Sequence, residues 1–278
     1  MRIHHLNCGS MAVIEPEAGH GLDPLPAVCH CLLIETEVSG LVLVETGFGL
    51  ADIGAPEARL GADFLSWAQP RLDPEEAAVR QLARLGHRPE DVRHILLSHL
   101  HRDHTGGLAD FPEAVVHVAR TEQAAALGDP GAPHAHWAHG PRWALYPSDG
   151  GGRWHGFDGV HQPSGVVEDI LLIPLAGHSP GHTAIAVRRG SGWLLHAGDA
   201  YYFHGELRHD IPSAPAMLDA LQEQTETDRD LRLANVARLQ KLAADPASGV
   251  QIISAHDPWE FRQHTGALAP TGRPLTPR

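Results

Sequence analysis

Short apolar runs set between polar, glycine-rich and proline-rich breaks recur along the chain, and most of them have the length of strands. They predict an opening set of strands over residues 2–14 and 28–46, with Leu32 to Ile34 on the second strand and Leu41 to Val44 on the third. Residues 15–27, rich in Pro and Gly, predict a loop between them. Further strands are expected at 94–98, 115–118, 169–174, 183–189, 193–197 and 250–254. Helical spacing is rarer. Asp73-Pro74-Glu75-Glu76 reads as a helix start, with Asp as the cap and Pro in the first turn. Ala77, Val79, Leu82 and Leu85 then give an apolar face that ends at Gly86. Thr121 to Leu127 predicts a short helix, and Ser213 to Ala244 a broken one with Leu218, Leu221, Leu231, Leu233, Val236, Leu239 and Leu242 as apolar positions. Residues 128–165 carry many Pro, Gly, His and Trp residues without a period and fit an insertion over a cleft. Strands with helices between and around them make a mixed α/β chain, and no repeat at a fixed period is visible.

Length and charge narrow the classes. A chain of 278 residues buries a large core, and 1–278 reads as one domain. The formal charge of −13 and the pI near 5.9 argue against a phosphate-binding surface, so no nucleic-acid partner is expected. Met1-Arg2-Ile3-His4-His5 leads into no apolar targeting segment, and no run approaches the ~20 residues of a membrane helix. A cytoplasmic protein without a membrane partner is the expectation. Cys8, Cys29 and Cys31 form an odd count with no disulfide framework, and Cys29-x-Cys31 reads as two buried thiols on a strand.

The chemistry is concentrated in Ser98-His99-Leu100-His101-Arg102-Asp103-His104-Thr105-Gly106-Gly107. In an extended chain His99 and His101 point to one side. The bend that follows lets Asp103 and His104 face a second point, an arrangement suited to two metal ions rather than one. Three more candidates follow apolar runs later in the chain: His178, Asp199 and His256. Five imidazoles and two carboxylates with no thiolate differ from closed structural zinc sites, which are usually cysteine-rich, and favour a Lewis-acidic metal with room for water.

With the later Gly177-His178, Gly198-Asp199 and His256 in order, the chain from about Leu32 to His256 resembles the metallo-β-lactamase-fold hydrolases. The resemblance implies an αββα sandwich of two sheets with helices outside and a metal site at one edge. It implies two divalent metal ions, expected to be zinc: His99, His101 and His178 on the first, Asp103, His104 and His256 on the second, and Asp199 bridging. The family carries Asp-Thr-Gly on an early strand as a support for the site. Here Glu45-Thr46-Gly47 takes that place, and the longer side chain has to find another path. The implied reaction is attack of a metal-bound hydroxide on a carbonyl, with Asp103 also able to accept a proton. Asp199-Ala200-Tyr201-Tyr202 has the Asp-x-x-Tyr spacing of N-acyl homoserine lactonases, which makes Tyr202 the candidate oxyanion donor. The motifs are most similar to those lactonases, so the expected small-molecule substrate is a neutral lactone or ester with an apolar arm. Trp137, Trp143 and Trp154 would supply apolar area for that arm. A thioesterase of the glyoxalase II type, a β-lactam hydrolase and a non-catalytic binding protein of the same fold are the alternatives. The oligomeric state is left open.

Two patterns compete with this assignment. Gly177-His178-Ser179-Pro180-Gly181 matches a serine-nucleophile elbow, but the oxyanion N–H of that motif comes from the residue after Ser, and Pro180 has none. The chain holds 22 histidines in all. His4, His5, His87, His117, His134, His136, His139, His155, His161, His204, His209 and His264 lack ligand spacing and read mostly as surface or loop residues. The tract His134-Ala135-His136-Trp137-Ala138-His139 has a composition that also occurs in metal-binding segments.

Overall fold

Alternation along the apolar strands decides the layering. A computed structural model describes residues 1–17, 19–147, 149–208 and 214–266. The strands β1 (Arg2–Ile14), β2 (Leu25–Glu35), β3 (Leu41–Val44), β4 (Val92–Leu96), β5 (Val115–Ala119) and β6 (Arg142–Tyr146) form one sheet in that order. The strands β7 (Gly152–Trp154) and β8 (Phe157–Val160) make a separate hairpin. A second sheet has β9 (Ile170–Pro174), β10 (Thr183–Arg189), β11 (Gly192–His196) and β12 (Val250–Ile253) in the order β12-β11-β10-β9.

Successive side chains on a strand point to opposite faces. Leu32, Ile34, Val42, Val44 and Leu96 of the first sheet therefore meet Ile170, Leu172, Ile185, Val187, Leu194 and Ile253 of the second. Their neighbours Leu33, Leu43 and Ile95 face outward against Leu60, Phe64 and Leu82, which come from the helices Pro56–Leu60, Ala62–Ala68 and Ala78–Arg84. On the far side Ile173, Ala184, Ala186 and Leu195 pack against Val236, Leu239 and Leu242 of helix Arg229–Ala243. Each fully buried aliphatic side chain of this kind contributes about 1.5–3 kcal/mol. The result is four layers, helix, sheet, sheet and helix: an αββα sandwich.

Strand direction then builds an edge. β3, β4 and β5 run parallel, so their C-terminal ends lie together. β9 and β11 are both antiparallel to β10, and β11 is parallel to β12, so the C-terminal ends of β9, β11 and β12 also share one edge. The Thr183 N–H donates to the Ser98 carbonyl at 2.9 Å and joins the two edges. The loops carrying His99 to His104, His178, Asp199 and His256 all leave from this place.

Several expectations change in detail. The helix expected from Asp73 divides: the Asp73 carboxylate accepts from the Glu75 N–H and caps a short 3₁₀ turn, Pro74–Glu76, and the α-helix follows at Ala78–Arg84. The broken helix is two helices, Ala216–Thr225 and Arg229–Ala243, the second capped by Asp228; Ser213 lies outside the described residues. Short helices over Leu50–Gly54, Pro56–Leu60 and Ala62–Ala68, and a helix at Pro258–Thr265, had no strong period to reveal them. Residues 128–165 hold a 3₁₀ turn at His134–His136, the hairpin β7-β8, and β6, which extends the first sheet parallel to β5. Trp137 is buried in the core under the first sheet and Trp154 in the core of the second. Neither offers a face to a ligand, contrary to the expectation, because each is packed into a core beside other apolar side chains, Trp137 with Leu108 and Phe111 and Trp154 with Phe157; Trp143 is half-buried against the first core. The thiols Cys8, Cys29 and Cys31 are free and buried. Among the described residues no helix is long and apolar enough to cross a membrane.

Candidate metal centre

The seven side chains singled out by spacing converge at the sandwich edge. Their ligand atoms fall into three overlapping groups: His99, His101 and His178; His99, His104 and Asp199; and Asp103, His104 and His256, each group within 4.8 Å of itself. Nε2 of His178 lies 3.2 Å from Nε2 of His99 and 3.1 Å from Nδ1 of His101. Three imidazole nitrogens thus crowd one point, and shared protons cannot satisfy all of them at once. Ligands about 2.0–2.1 Å from one tetrahedral zinc stand at comparable separations from one another. On the other side Nε2 of His104 and Oδ1 of Asp199 are buried without a hydrogen-bond partner in the structure. Orphaned buried polar atoms of this kind are costly unless something else fills the gap. With a hard–borderline donor set of imidazole and carboxylate, the residues fit divalent metal ions.

Asp199 is divided between the two sides. Its Oδ2 faces His178 Nε2 at 3.4 Å and His99 Nε2 at 3.8 Å, whereas Oδ1 faces His104 Nε2 at 3.3 Å. His256 Nε2 is 3.2 Å from Asp199 and 3.4 Å from Asp103 Oδ2. Tyr202 is buried, and its hydroxyl lies 3.3 Å from Asp199 Oδ2 and 3.3 Å from the Thr225 hydroxyl.

Outer contacts aim these groups. His256 Nδ1 is 2.8 Å from the Val28 carbonyl and must carry the proton there, which turns an unprotonated Nε2 to the centre. Ser98 Oγ is 2.8 Å from His99 Nδ1 and holds that ring in place. His182 Nε2 accepts from the Asp199 N–H at 3.0 Å and holds the turn after β11. Glu45 has the left-handed φ of 60°, a strained conformation for a non-glycine residue. Its Oε1 accepts from the Ser98 N–H at 2.8 Å, and its Oε2 approaches His104 Nδ1 at 3.2 Å. The longer carboxylate thus reaches both the strand end and the ligand, while Thr46 donates twice to the His104 carbonyl.

Burial and charge act oppositely on the histidines. Burial pushes His99 and His178 well below the usual imidazole range, so both are neutral at pH 7. Burial opposes protonation of His104 and His256 too, but Asp199, with Glu45 and Asp103 around His104 and Asp103 around His256, overcomes it and raises both. Burial works to raise Asp199, and the neighbouring His256, His104 and His99 outweigh it and hold the carboxyl well below the usual range. Burial and the Asp199 charge push the Tyr202 phenol up, which keeps it a proton donor.

The remaining candidates lie elsewhere. His136 turns inward, 3.1 Å from Asp52 and 2.8 Å from the Thr105 hydroxyl, which donates to the His101 carbonyl. The tract 134–139 therefore braces the ligand helix and does not reach the centre. His117 is likewise buried, between His94 and the Tyr146 hydroxyl, where a surface position was expected; β5 is a central strand, and both its faces are covered. His209 lies outside the described residues. Ser179 donates to Glu122 at 2.7 Å and is no nucleophile. Glu122, Ser98, Thr225 and the Val28 carbonyl carried no spacing signal. His182 had one, as the second histidine of Gly177 to His182.

The sequence pattern of the metallo-beta-lactamase superfamily matches residues 25–248. The chain belongs to the metallo-beta-lactamase superfamily. It is a metal-dependent hydrolase of that superfamily, 37% identical over 264 residues to a probable metallo-hydrolase of Mycobacterium tuberculosis, covering 93% of this chain and 81% of that protein. An N-acyl homoserine lactonase of Bacillus thuringiensis is 29% identical over 213 residues, 76% of this chain and 75% of the relative. The superfamily fold is also seen in a solved N-acyl homoserine lactone hydrolase carrying N-hexanoyl-L-homoserine at its metal centre, with a TM-score of 0.69 at 24% identity over 96% of each chain. The dizinc quorum-quenching lactonase AidC superposes with a TM-score of 0.57 at 19% identity, over 85% of this chain and 74% of that one.

Proposed function

We propose that this superfamily member is a dinuclear hydrolase that opens a neutral lactone or ester at its carbonyl. The observation that carries the reading is the division of Asp199, one oxygen toward His99 and His178 and the other toward His104, as a bridging ligand requires. The chemistry supplied by two divalent ions, when bound, would be polarisation of a carbonyl and acidification of a water down towards about 7. His99, His101 and His178 would hold one ion, Asp103, His104 and His256 the other. Zinc is the proposed metal, since AidC is described as a dizinc enzyme.

The chain's own groups then divide the work. Asp103, with Oδ2 at the centre beside His256, is placed to take up a proton. Tyr202 keeps its proton and offers the O–H beside Asp199 to the oxygen on which charge develops. Glu45, Val28 and Ser98 keep the imidazoles oriented through the reaction. The lactone class is supported by the Bacillus relatives and by the acidic chain, whose charge of −13 repels polyanionic substrates. We read the chain as one domain in which residues near 131–136 cover the ligand helix, since Arg102 donates to the Gly131 carbonyl and His136 meets Thr105. Three buried thiols suit a reducing compartment, which supports the cytoplasm.

The test is metal analysis with hydrolysis assays on an N-acyl homoserine lactone, a simple ester, a thioester, a β-lactam and a phosphodiester. Two metals per chain and fastest turnover of the lactone or ester are expected. One metal per chain ends the dinuclear reading, and activity confined to the thioester or β-lactam ends the lactonase one. Tyr202→Phe should lower kcat by up to about 10²–10³ with little change in KM. An unchanged kcat makes Tyr202 a wall residue.

A further inference from the structure

Glu122 is a carboxylate 3% exposed, on the helix Arg120–Gly128 that follows β5, and it is not among the groups that converge on the centre. Its Oε1 accepts from the Leu100 N–H at 3.0 Å, and Leu100 stands between His99 and His101. Its Oε2 accepts from Ser179 Oγ at 2.7 Å and from the Gly181 N–H at 2.9 Å, one and three residues past His178. Hydrogen bonds to an ionised, buried acceptor are among the stronger ones. All three come from the two loops that carry the three-histidine set. The contact is also close in a second way. A Cβ at Gly181 would come within 2.3 Å of the Glu122 nitrogen and 2.7 Å of its Cβ, so the His178 loop is pressed against this helix where only glycine fits. The other set is held by different groups: His104 by Glu45 and Thr46, His256 by the Val28 carbonyl.

We propose that Glu122 is the positioning residue that locks the His99–His101 loop to the His178 loop and so sets the metal affinity of the three-histidine set alone. The proposal rests on the two-metal reading above. Replacement by glutamine shows why the charge matters. An amide has one accepting oxygen. If it serves Ser179 and Gly181, its NH₂ faces the Leu100 N–H; if it serves Leu100, its NH₂ faces the Gly181 N–H. Either way a donor meets a donor, and one loop is released.

The experiment measures zinc affinity of the full chain by competition with a chromophoric chelator. It uses the wild-type protein and the His178→Ala and His256→Ala backgrounds, the second of which keeps the three-histidine set intact. Glu122→Gln should weaken zinc about 10–100-fold in wild type and in His256→Ala. In His178→Ala it should change affinity by less than about twofold, as for independent sites. Equal losses in both backgrounds, the mark of a merely structural residue, would overturn the proposal, as would no loss in His256→Ala. If circular dichroism shows that Glu122→Gln does not fold, Ser179→Ala, which removes one of the three bonds, should show the same bias at smaller size; absence of the bias overturns it equally. Wild-type binding of one zinc rather than two would end the two-metal reading, and the His256→Ala comparison would still decide the role of Glu122.

Discussion

The two halves of the ligand cluster are neighbours built on opposite electrostatics. His99, His101 and His178 form an all-nitrogen set in which burial lowers each imidazole and keeps it neutral. Asp103, His104 and His256 form a mixed set in which burial is overcome by carboxylates and the two imidazoles are raised. The residue type is the same in both, so the difference comes from what the fold places around it. Two carboxylates, Asp199 and Glu45, come from the ends of adjacent layers and charge one side of the site. The supports differ accordingly. The nitrogen set is held through backbone N–H groups gathered by Glu122, and the mixed set through side-chain contacts from Glu45. Asp199 belongs to both.

The largest effect on this division is expected from Asp199→Ala. Losing the shared carboxylate should weaken both sets and lower lactone hydrolysis on the order of 10³-fold or more, as several kcal/mol of charge stabilisation disappear. Metal content and kcat measure it, and near-normal turnover would mean that the halves work without a bridge. A smaller and uneven effect is expected from Glu45→Asp. The shorter side chain cannot span Ser98 N and His104 Nδ1 together, so zinc affinity of the mixed set, whose His104 it touches directly, should fall about 10-fold, at the low end for loss of such a support, and the nitrogen set, reached only through the Ser98 backbone, should fall less. Equal weakening of both sets in a two-step zinc titration would show that the halves share one support. A last effect, on stability rather than on the site, tests burial itself. His117 is lowered to about 3 by burial, with the nearby His94 adding to it. Below pH about 6.5 the unfolded chain takes up a proton that the folded chain refuses, so stability falls from there towards pH 3 at about 1.4 kcal/mol per unit for this group. Urea unfolding across that range should show a slope shallower by about one proton in His117→Gln. An unchanged slope would remove burial as the cause of the lowered histidines.

The legible part of the molecule was local. The strands with unbroken apolar runs, β3, β4, β9 to β12, were readable because a buried strand needs little else to announce itself. So were the Asp73 cap and the convergence of His99 to His104, whose spacing is short enough for backbone geometry to fix. The helices over 50–68 were not, since each is a turn or two long and takes its stability from packing on the first sheet. β6 was hidden because its side chains are half-buried and its pairing with β5 crosses more than 20 residues. Trp137 and Trp154 were misread for a related reason: an aromatic side chain looks the same in a sequence whether it fills a core or lines a cleft.

Sequence alone singled out seven side chains of ligand type that the fold gathers at one edge, and placed them after apolar strands, because residue type and short spacing are properties of the chain. It did not determine which histidines would be neutral, how Glu45 would reach, or that Glu122 would tie two loops together. Leu100, Glu122 and Gly181 lie 22 and 59 residues apart along the chain and meet only because β4, β5 and β9 end at one edge. Proton affinity and hydrogen-bond geometry at that edge depend on distances of a few ångströms between such remote groups, and only the packed sheets set those distances.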